Sequence, residues 1–192
     1  MESKEENAEN KLTRCFIALD LPLSAVEEIE NIQNKLKKKV LFIGKFTDRV
    51  NLHLTLKFLG EISEEKIEEV KKRLLEVKLN FEINAELGEV GVFNKKFVRI
   101  IWIKLNGKGI FDLQKQVDDK LKDLFLLEEK FMSHITIARV TSVGAKKELL
   151  EYLTSIKPKN IKFKINSFSF KKSELLENGP IYENLEEYNL TL

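Results

Sequence analysis

Apolar positions along the chain switch repeatedly between a period of two and a period near 3.6, which divides it into alternating strands and helices. Residues Met1 to Lys11 are charged and polar without an apolar period, and are expected to form a short disordered arm. The ordered unit, 12–192, opens with the β-like run Arg14-Cys15-Phe16-Ile17-Ala18-Leu19, ended by Asp20 and Pro22. From Ser24 the period is helical: Ser24 and Glu27 read as a capping box, and Val26, Ile29, Ile32 and Leu36 as one apolar stripe. A second strand lies between Phe46 and Gly60, where Leu52, Leu54, Leu56 and Phe58 alternate with His53, Thr55 and Lys57. Ser63 starts the next helix, with Ile62 and Ile67 as a hydrophobic staple and Ile67, Val70, Leu74 and Val77 facing inward.

The middle of the chain predicts two strands, Phe81 to Val92 and Phe97 to Leu105, turning at Asn94-Lys95-Lys96. A third helix follows Gly107 and Gly109, with Ile110, Leu113, Val117, Leu121 and Leu124 at helical spacing. A strand from Phe131 to Thr141 carries His134, and a fourth helix from about Ser142 to Ile156 is closed by Pro158. The end is β-rich: Ile161 to Phe170, a turn around Asn178-Gly179-Pro180, then Ile181 to Leu192.

The order is β-α-β-α-β, repeated, with one extra strand. Such self-similarity points to an internal duplication folded as two facing lobes. No linker rich in Pro, Gly or Ser separates the halves, so they are expected to be lobes of one domain.

Composition narrows the classes. The 192 residues are 43% hydrophobic, enough for a core and against global disorder. A net charge of +2 excludes a highly basic coating role. One cysteine makes neither an internal disulfide nor a Cys-rich zinc site, which suggests a reducing compartment. There is no run of 18 apolar residues and no signal-like opening, so a cytoplasmic protein without membrane contact is expected.

The chain has only two histidines. They lie 81 residues apart, at 53 and 134, in matching contexts: His53-Leu54-Thr55-Leu56 and His134-Ile135-Thr136-Ile137. On a strand, residues i and i+2 share a face, so each His shares one with its Thr while the Leu and Ile point into the core. Pseudo-twofold lobes bring both faces to one cleft. Two imidazoles there suit in-line phosphoryl chemistry without a metal: one takes a proton from the nucleophile, the other protonates the leaving oxygen. Threonine hydroxyls would donate to non-bridging phosphate oxygens. A structural His-x-Thr copied by duplication is the plain alternative, but no matched acids accompany it. A metal site lacks a third His or a second Cys, so no metal and no cofactor are expected.

These residues resemble the 2H phosphoesterases, in particular the RNA 2′,3′-cyclic phosphodiesterase branch, historically called 2′-5′ RNA ligases. Asn51 to Glu61 resembles the first family signature, and His134-Ile135-Thr136-Ile137-Ala138-Arg139 the second. Arg14 to Ala18 is similar to the opening strand, Gly91 to Phe93 with Val98 to Trp102 to the central hairpin, and Gly179 to Tyr182 to the closing strand. Ser133 and Asn94 stand where proline is common, and Phe46 where tryptophan is.

The resemblance implies an α+β, bilobal fold with two antiparallel sheets, flanked by helices, around a central cleft. It also implies hydrolysis of an RNA-terminal 2′,3′-cyclic phosphate to a 2′-phosphate, and reversible 2′-5′ ligation. His53 would be the proton donor and His134 the proton acceptor, with Thr55, Thr136 and Arg139 binding phosphate. Strict alternation puts Arg139 on the face opposite His134, so a bulge or a strand end must redirect it. Phe16 and Phe46 are candidates for stacking on a nucleobase. The expected partners are RNA ends or small nucleotides bearing a cyclic phosphate, met by a monomer. The rivals are action on another cyclic nucleotide or a 2′-5′ linkage, and a non-catalytic RNA-binding module.

Overall fold

The computed structural model describes residues 12–79, 81–177 and 179–190. The expected arm, 1–11, and Asn178 of the last turn lie outside the described residues. The first strand, β1 (Thr13–Asp20), leads into helix α1 (Leu23–Lys39). The helix starts earlier than the Ser24–Glu27 capping box predicts: Pro22 is the cap, and its carbonyl accepts from the N–H groups of Ala25 and Val26 at 3.0 and 3.1 Å. Proline holds the extended φ of that position without a side-chain cap. The stripe Val26, Ile29, Ile32 and Leu36 is buried. Lys37, Lys38 and Lys39 close the helix, where cations favour its dipole.

The strand expected between Phe46 and Gly60 is β3 (His53–Ile62); before it lies an unexpected short strand, β2 (Phe42–Phe46), parted from β3 by a 3-10 turn at Arg49–Asn51. Helix α2 (Glu64–Leu74) is capped as expected, Ser63 accepting from the Lys66 N–H at 3.4 Å, with Ile62 and Ile67 buried. Then come β4 (Ile83–Val92), β5 (Ile100–Gly107), α3 (Ile110–Leu121), β6 (His134–Val143) and α4 (Lys146–Ser155). The β4–β5 turn is held by Asn94, whose Oδ1 accepts from the N–H groups of Lys96 and Phe97 at 2.8 and 3.1 Å. The C-terminal stretch is β7 (Lys162–Ile165), β8 (Ser167–Leu176) and β9 (Gly179–Asn189).

Among the described residues the strands pair antiparallel throughout, in the order β7-β4-β5-β6-β3-β1-β8-β9, with β2 also on β6. Two four-stranded arms, β3-β1-β8-β9 and β6-β5-β4-β7, meet at a single pairing, Leu54 with Ile135. These arms are the two lobes, and they are not consecutive halves of the chain. Strand β4 joins the lobe of His134, while β8 and β9 return to the lobe of His53. The helices interleave too: α1 packs on β6 and α3 on β3. The buried side chains of both lobes form one cluster. No helix among the described residues is long and apolar enough to cross a membrane.

Candidate active site

The histidine strands share a defect in the same place. Opposite β1, Ala18 pairs with Thr55 and Ile17 with Lys57, so Leu56 is an extra residue. Opposite β5, Trp102 pairs with Thr136 and Ile101 with Ala138, so Ile137 is an extra residue. Each bulge shifts the alternation by one, making two consecutive residues buried: Leu56 with Lys57, and Ile137 with Ala138. The residue five past each histidine therefore turns to the cleft. In the second motif that residue is Arg139, as the expectation required. In the first it is Phe58, which strict alternation had placed with the core and which is 72% exposed.

His53, Thr55, His134, Thr136 and Arg139 all line one cavity of about 640 Å³. The imidazoles are held alike. His53 Nδ1 donates to the Asn51 carbonyl at 2.9 Å, and His134 Nδ1 to the Met132 carbonyl at 2.8 Å, each two residues upstream. A carbonyl only accepts, so the proton sits on Nδ1 and Nε2 is left for chemistry in both rings. The Thr55 hydroxyl lies 3.0 Å from His53 Nε2 and donates to it while the ring is neutral. Burial pushes His53 down to about 4. The Asn51 hydrogen bond opposes that, Lys171 reinforces it, Asp20 opposes it, and the charge of His134 adds to the depression.

Phe16 lines the cavity but is 3% exposed, because its ring packs on His53 at 5.0 Å, Tyr182 at 4.9 Å and Phe58 at 6.2 Å. Tyr182 meets His53 edge-on at 5.2 Å, and Phe93 meets His134 edge-on at 4.8 Å. Burial raises the Tyr182 hydroxyl, with Arg139 and Arg14 opposing, so both guanidinium groups stand near it. Phe46 also lines the cavity, with the Lys37 ammonium 5.1 Å from its ring centre. Arg49 pairs with Glu30, Lys171 with Asp20 at 2.8 Å and Lys172 with Glu183 at 2.9 Å. No three His, Cys, Asp or Glu side chains gather as a metal cluster among the described residues.

Several residues support the site through contacts that the sequence did not indicate. Asn51, besides receiving His53, donates through Nδ2 to the Pro180 carbonyl at 2.8 Å and so ties β9 to the first motif. Gln33, buried on α1, donates to the carbonyls of Ile137 and Thr47, both at 2.9 Å, supporting the second bulge from behind. Ser133 donates to the Leu105 carbonyl at 2.5 Å. One signal was available for Gln33: Gln114 stands 81 residues later, the same spacing as the histidines. Gln114 reaches the first motif indirectly, donating to Asp118 at 2.7 Å, which in turn pairs with Lys57 at 2.5 Å.

Comparison with known proteins agrees with this duplicated cleft. The family model described as LigT like phosphoesterase matches twice, over residues 19–102 and 104–182. A protein of Methanocaldococcus jannaschii named RNA 2′,3′-cyclic phosphodiesterase is 35% identical over 178 residues, covering 91% of this chain and 99% of its own. One of the same name from Thermotoga maritima is 33% identical over 178 residues, covering 91% and 94%. A Thermus thermophilus crystal structure superposes with a TM-score of 0.78 at 25% identity, covering 92% of this chain and 97% of that one. Escherichia coli LigT complexed with ATP shares the fold, with a TM-score of 0.75 at 24% identity over 94% of this chain and 99% of that one. Two matches to one model, one for each histidine motif, together span most of the sequence, and the chain belongs to the LigT-like phosphoesterase family of 2H phosphoesterases.

Proposed function

We propose that the protein hydrolyses the 2′,3′-cyclic phosphate at an RNA end to a 2′-phosphate, using His53 and His134 as a proton-transfer pair. One observation carries this reading: both imidazoles are pinned at Nδ1 by a carbonyl and present Nε2 to one cavity. His134 Nε2 takes a proton from water as the oxygen attacks phosphorus. The P–O3′ bond breaks, and protonated His53 gives its Nε2 proton to the departing 3′ oxygen. Thr55 and Thr136 donate to the non-bridging oxygens, and Arg139 offsets the charge that grows there. Phe16 supports the His53 ring from below. A 5′-hydroxyl of a second RNA in place of water gives a 2′-5′ linkage by the same steps, and reversal cleaves it.

Burial leaves His53 neutral near pH 7, which at first sight disfavours a proton donor. A cyclic phosphate brings a negative charge against the ring, and an adjacent opposite charge favours the protonated form. Substrate binding therefore arms the acid. Because both histidines come from one chain, a monomeric, bilobal unit spanning 12–192 suffices. A cytoplasmic setting fits the buried single Cys15 and RNA-end substrates.

The test is incubation of the purified protein, in EDTA, with an oligonucleotide ending in 2′,3′-cyclic phosphate. The expected product carries a 2′-phosphate. Recovery of unchanged substrate overturns the proposal.

A further inference from the structure

Beyond the histidines and threonines, the His53 lobe presents a second set of polar groups to the cleft. Strand β1 runs in unbroken register with β8, so Arg14, Phe16 and Ala18 share one face, the face that carries the site. Across the sheet, Arg14 pairs with Ser173 of β8, and Ser173 with Tyr182 of β9. All three line the cavity. The row therefore sets a guanidinium, which only donates, beside two hydroxyls that can donate.

No side-chain hydrogen bond or ion pair occupies Arg14, Ser173 or the Tyr182 hydroxyl among the described residues. The neighbouring lysines of β8 are paired, Lys171 with Asp20 and Lys172 with Glu183. Glu61, the carboxylate opposite Arg14 in register on β3, is exposed and does not line the cavity. Among the described residues that do, Arg14, Lys45 and Arg139 stand against one carboxylate, Asp48. That leaves more positive charge than the single negative charge of a cyclic phosphate matches.

We propose that Arg14, with Ser173 and Tyr182, holds the phosphodiester that joins the terminal nucleotide to the rest of the RNA. The inference rests on the cyclic phosphodiesterase reading and deepens it: Arg14 becomes a specificity-determining residue that favours an RNA end over a free nucleoside cyclic phosphate. Thr55 pairs with Ala18 of β1, and Arg14 lies four residues along that strand, about 13 Å between backbones. Tyr182 spans the interval, because its ring meets His53 edge-on at 5.2 Å. Its hydroxyl stands near both Arg14 and Arg139, so the row continues into the guanidinium assigned to the reacting phosphate. A guanidinium offers a phosphodiester two parallel N–H donors and reads its charge without reading a base. The other cations suit this role less well. Arg139 serves the reacting phosphate, and Lys45 extends toward Gly179 in the β8–β9 turn.

The test compares two dinucleotides that end in a 2′,3′-cyclic phosphate. One has a natural phosphodiester between its nucleosides, the other an uncharged methylphosphonate. The wild-type protein should prefer the charged linkage by about tenfold in kcat/KM, mostly through KM, the size expected of a hydrogen bond to a charged group. Arg14→Gln should collapse that preference, and because Arg14 is exposed the substitution leaves the core untouched. A preference that survives in Arg14→Gln, or is absent from the wild type, overturns the subsite. Calorimetric binding of the same two dinucleotides ending in a 2′-phosphate gives the ratio without turnover. Absence of hydrolysis would thus count against the activity alone, while the binding ratio still decides the subsite.

Discussion

Gln33 donates from α1 to the carbonyl oxygen of Ile137 at 2.9 Å, the extra residue whose bulge turns Arg139 into the cleft. The same amide nitrogen reaches the Thr47 carbonyl, and the Thr47 N–H itself donates to Ile137. One buried side chain therefore ties together the bulge and the cavity wall at Thr47. Gln33→Met keeps the volume and removes the donors. It should cost about 1–3 kcal/mol in urea denaturation and lower kcat/KM. In a double-mutant cycle with Arg139→Ala the activity losses should be clearly less than additive, because Gln33 acts through Arg139. Additive losses would make Gln33 a stability residue only.

The depressed His53 ring links the site to stability. The unfolded chain takes up this proton near pH 6.5 and the folded chain only near 4, so between those values the unfolded state binds more protons. Stability is full above about 6.5 and declines as pH falls through the window. The wild-type protein should lose about 3 kcal/mol more than His53→Gln between pH 7 and 4. With only two histidines, imidazole NMR reports the same group directly. His53 should titrate near 4 alone and higher with inorganic phosphate bound; an unmoved midpoint would argue against arming by substrate charge.

Lys57 and Asp118 form a buried pair that fastens α3 to β3 just after the first bulge. Lys57 also donates to the Leu126 carbonyl at 2.6 Å, and Asp118 accepts from Gln114 and from the Glu128 N–H at 2.9 Å. Lys57→Met leaves an uncompensated carboxylate and should cost about 3–5 kcal/mol. Adding Asp118→Asn should recover a large part of that loss in equilibrium unfolding. A single-variant cost under about 1 kcal/mol would show that the pair is not held dry.

Val40, just past α1, has φ 51° and is 82% exposed. A β-branched residue is strained in that left-handed conformation and buries nothing there in return. Val40→Gly should stabilise the fold by about 1 kcal/mol, raising Tm by roughly 2–4 °C. An unchanged or lower Tm would remove strain as the explanation.

Much of this was legible in the sequence, and the gaps have physical causes. His-x-Thr spacing put His53 with Thr55 and His134 with Thr136 on shared faces, because a two-residue period survives over three positions. It failed at the fifth, Lys57 and Ala138, since a bulge needs no recognisable residue. Phe58 accordingly read as core, whereas Arg139 was directed to the cleft only by the resemblance. Strand β2 was missed because Phe42–Phe46 carries no alternation, and Gly44 is there for close approach: a Cβ would lie 2.2 Å from the Arg139 carbonyl oxygen. The lobe exchange of β4 with β8 and β9 is a matter of pairing across the whole chain, which local periodicity does not encode. Buried polar supports such as Gln33 and Asn51 depend on a tertiary partner and leave no local pattern.

The central claim is that two histidines share one phosphoryl transfer. It is tested most directly by turnover of a 2′,3′-cyclic phosphate oligonucleotide with His53→Ala and His134→Ala, with circular dichroism confirming the fold. Each substitution should lower kcat by about two or more orders of magnitude. Wild-type turnover in both variants would contradict the account.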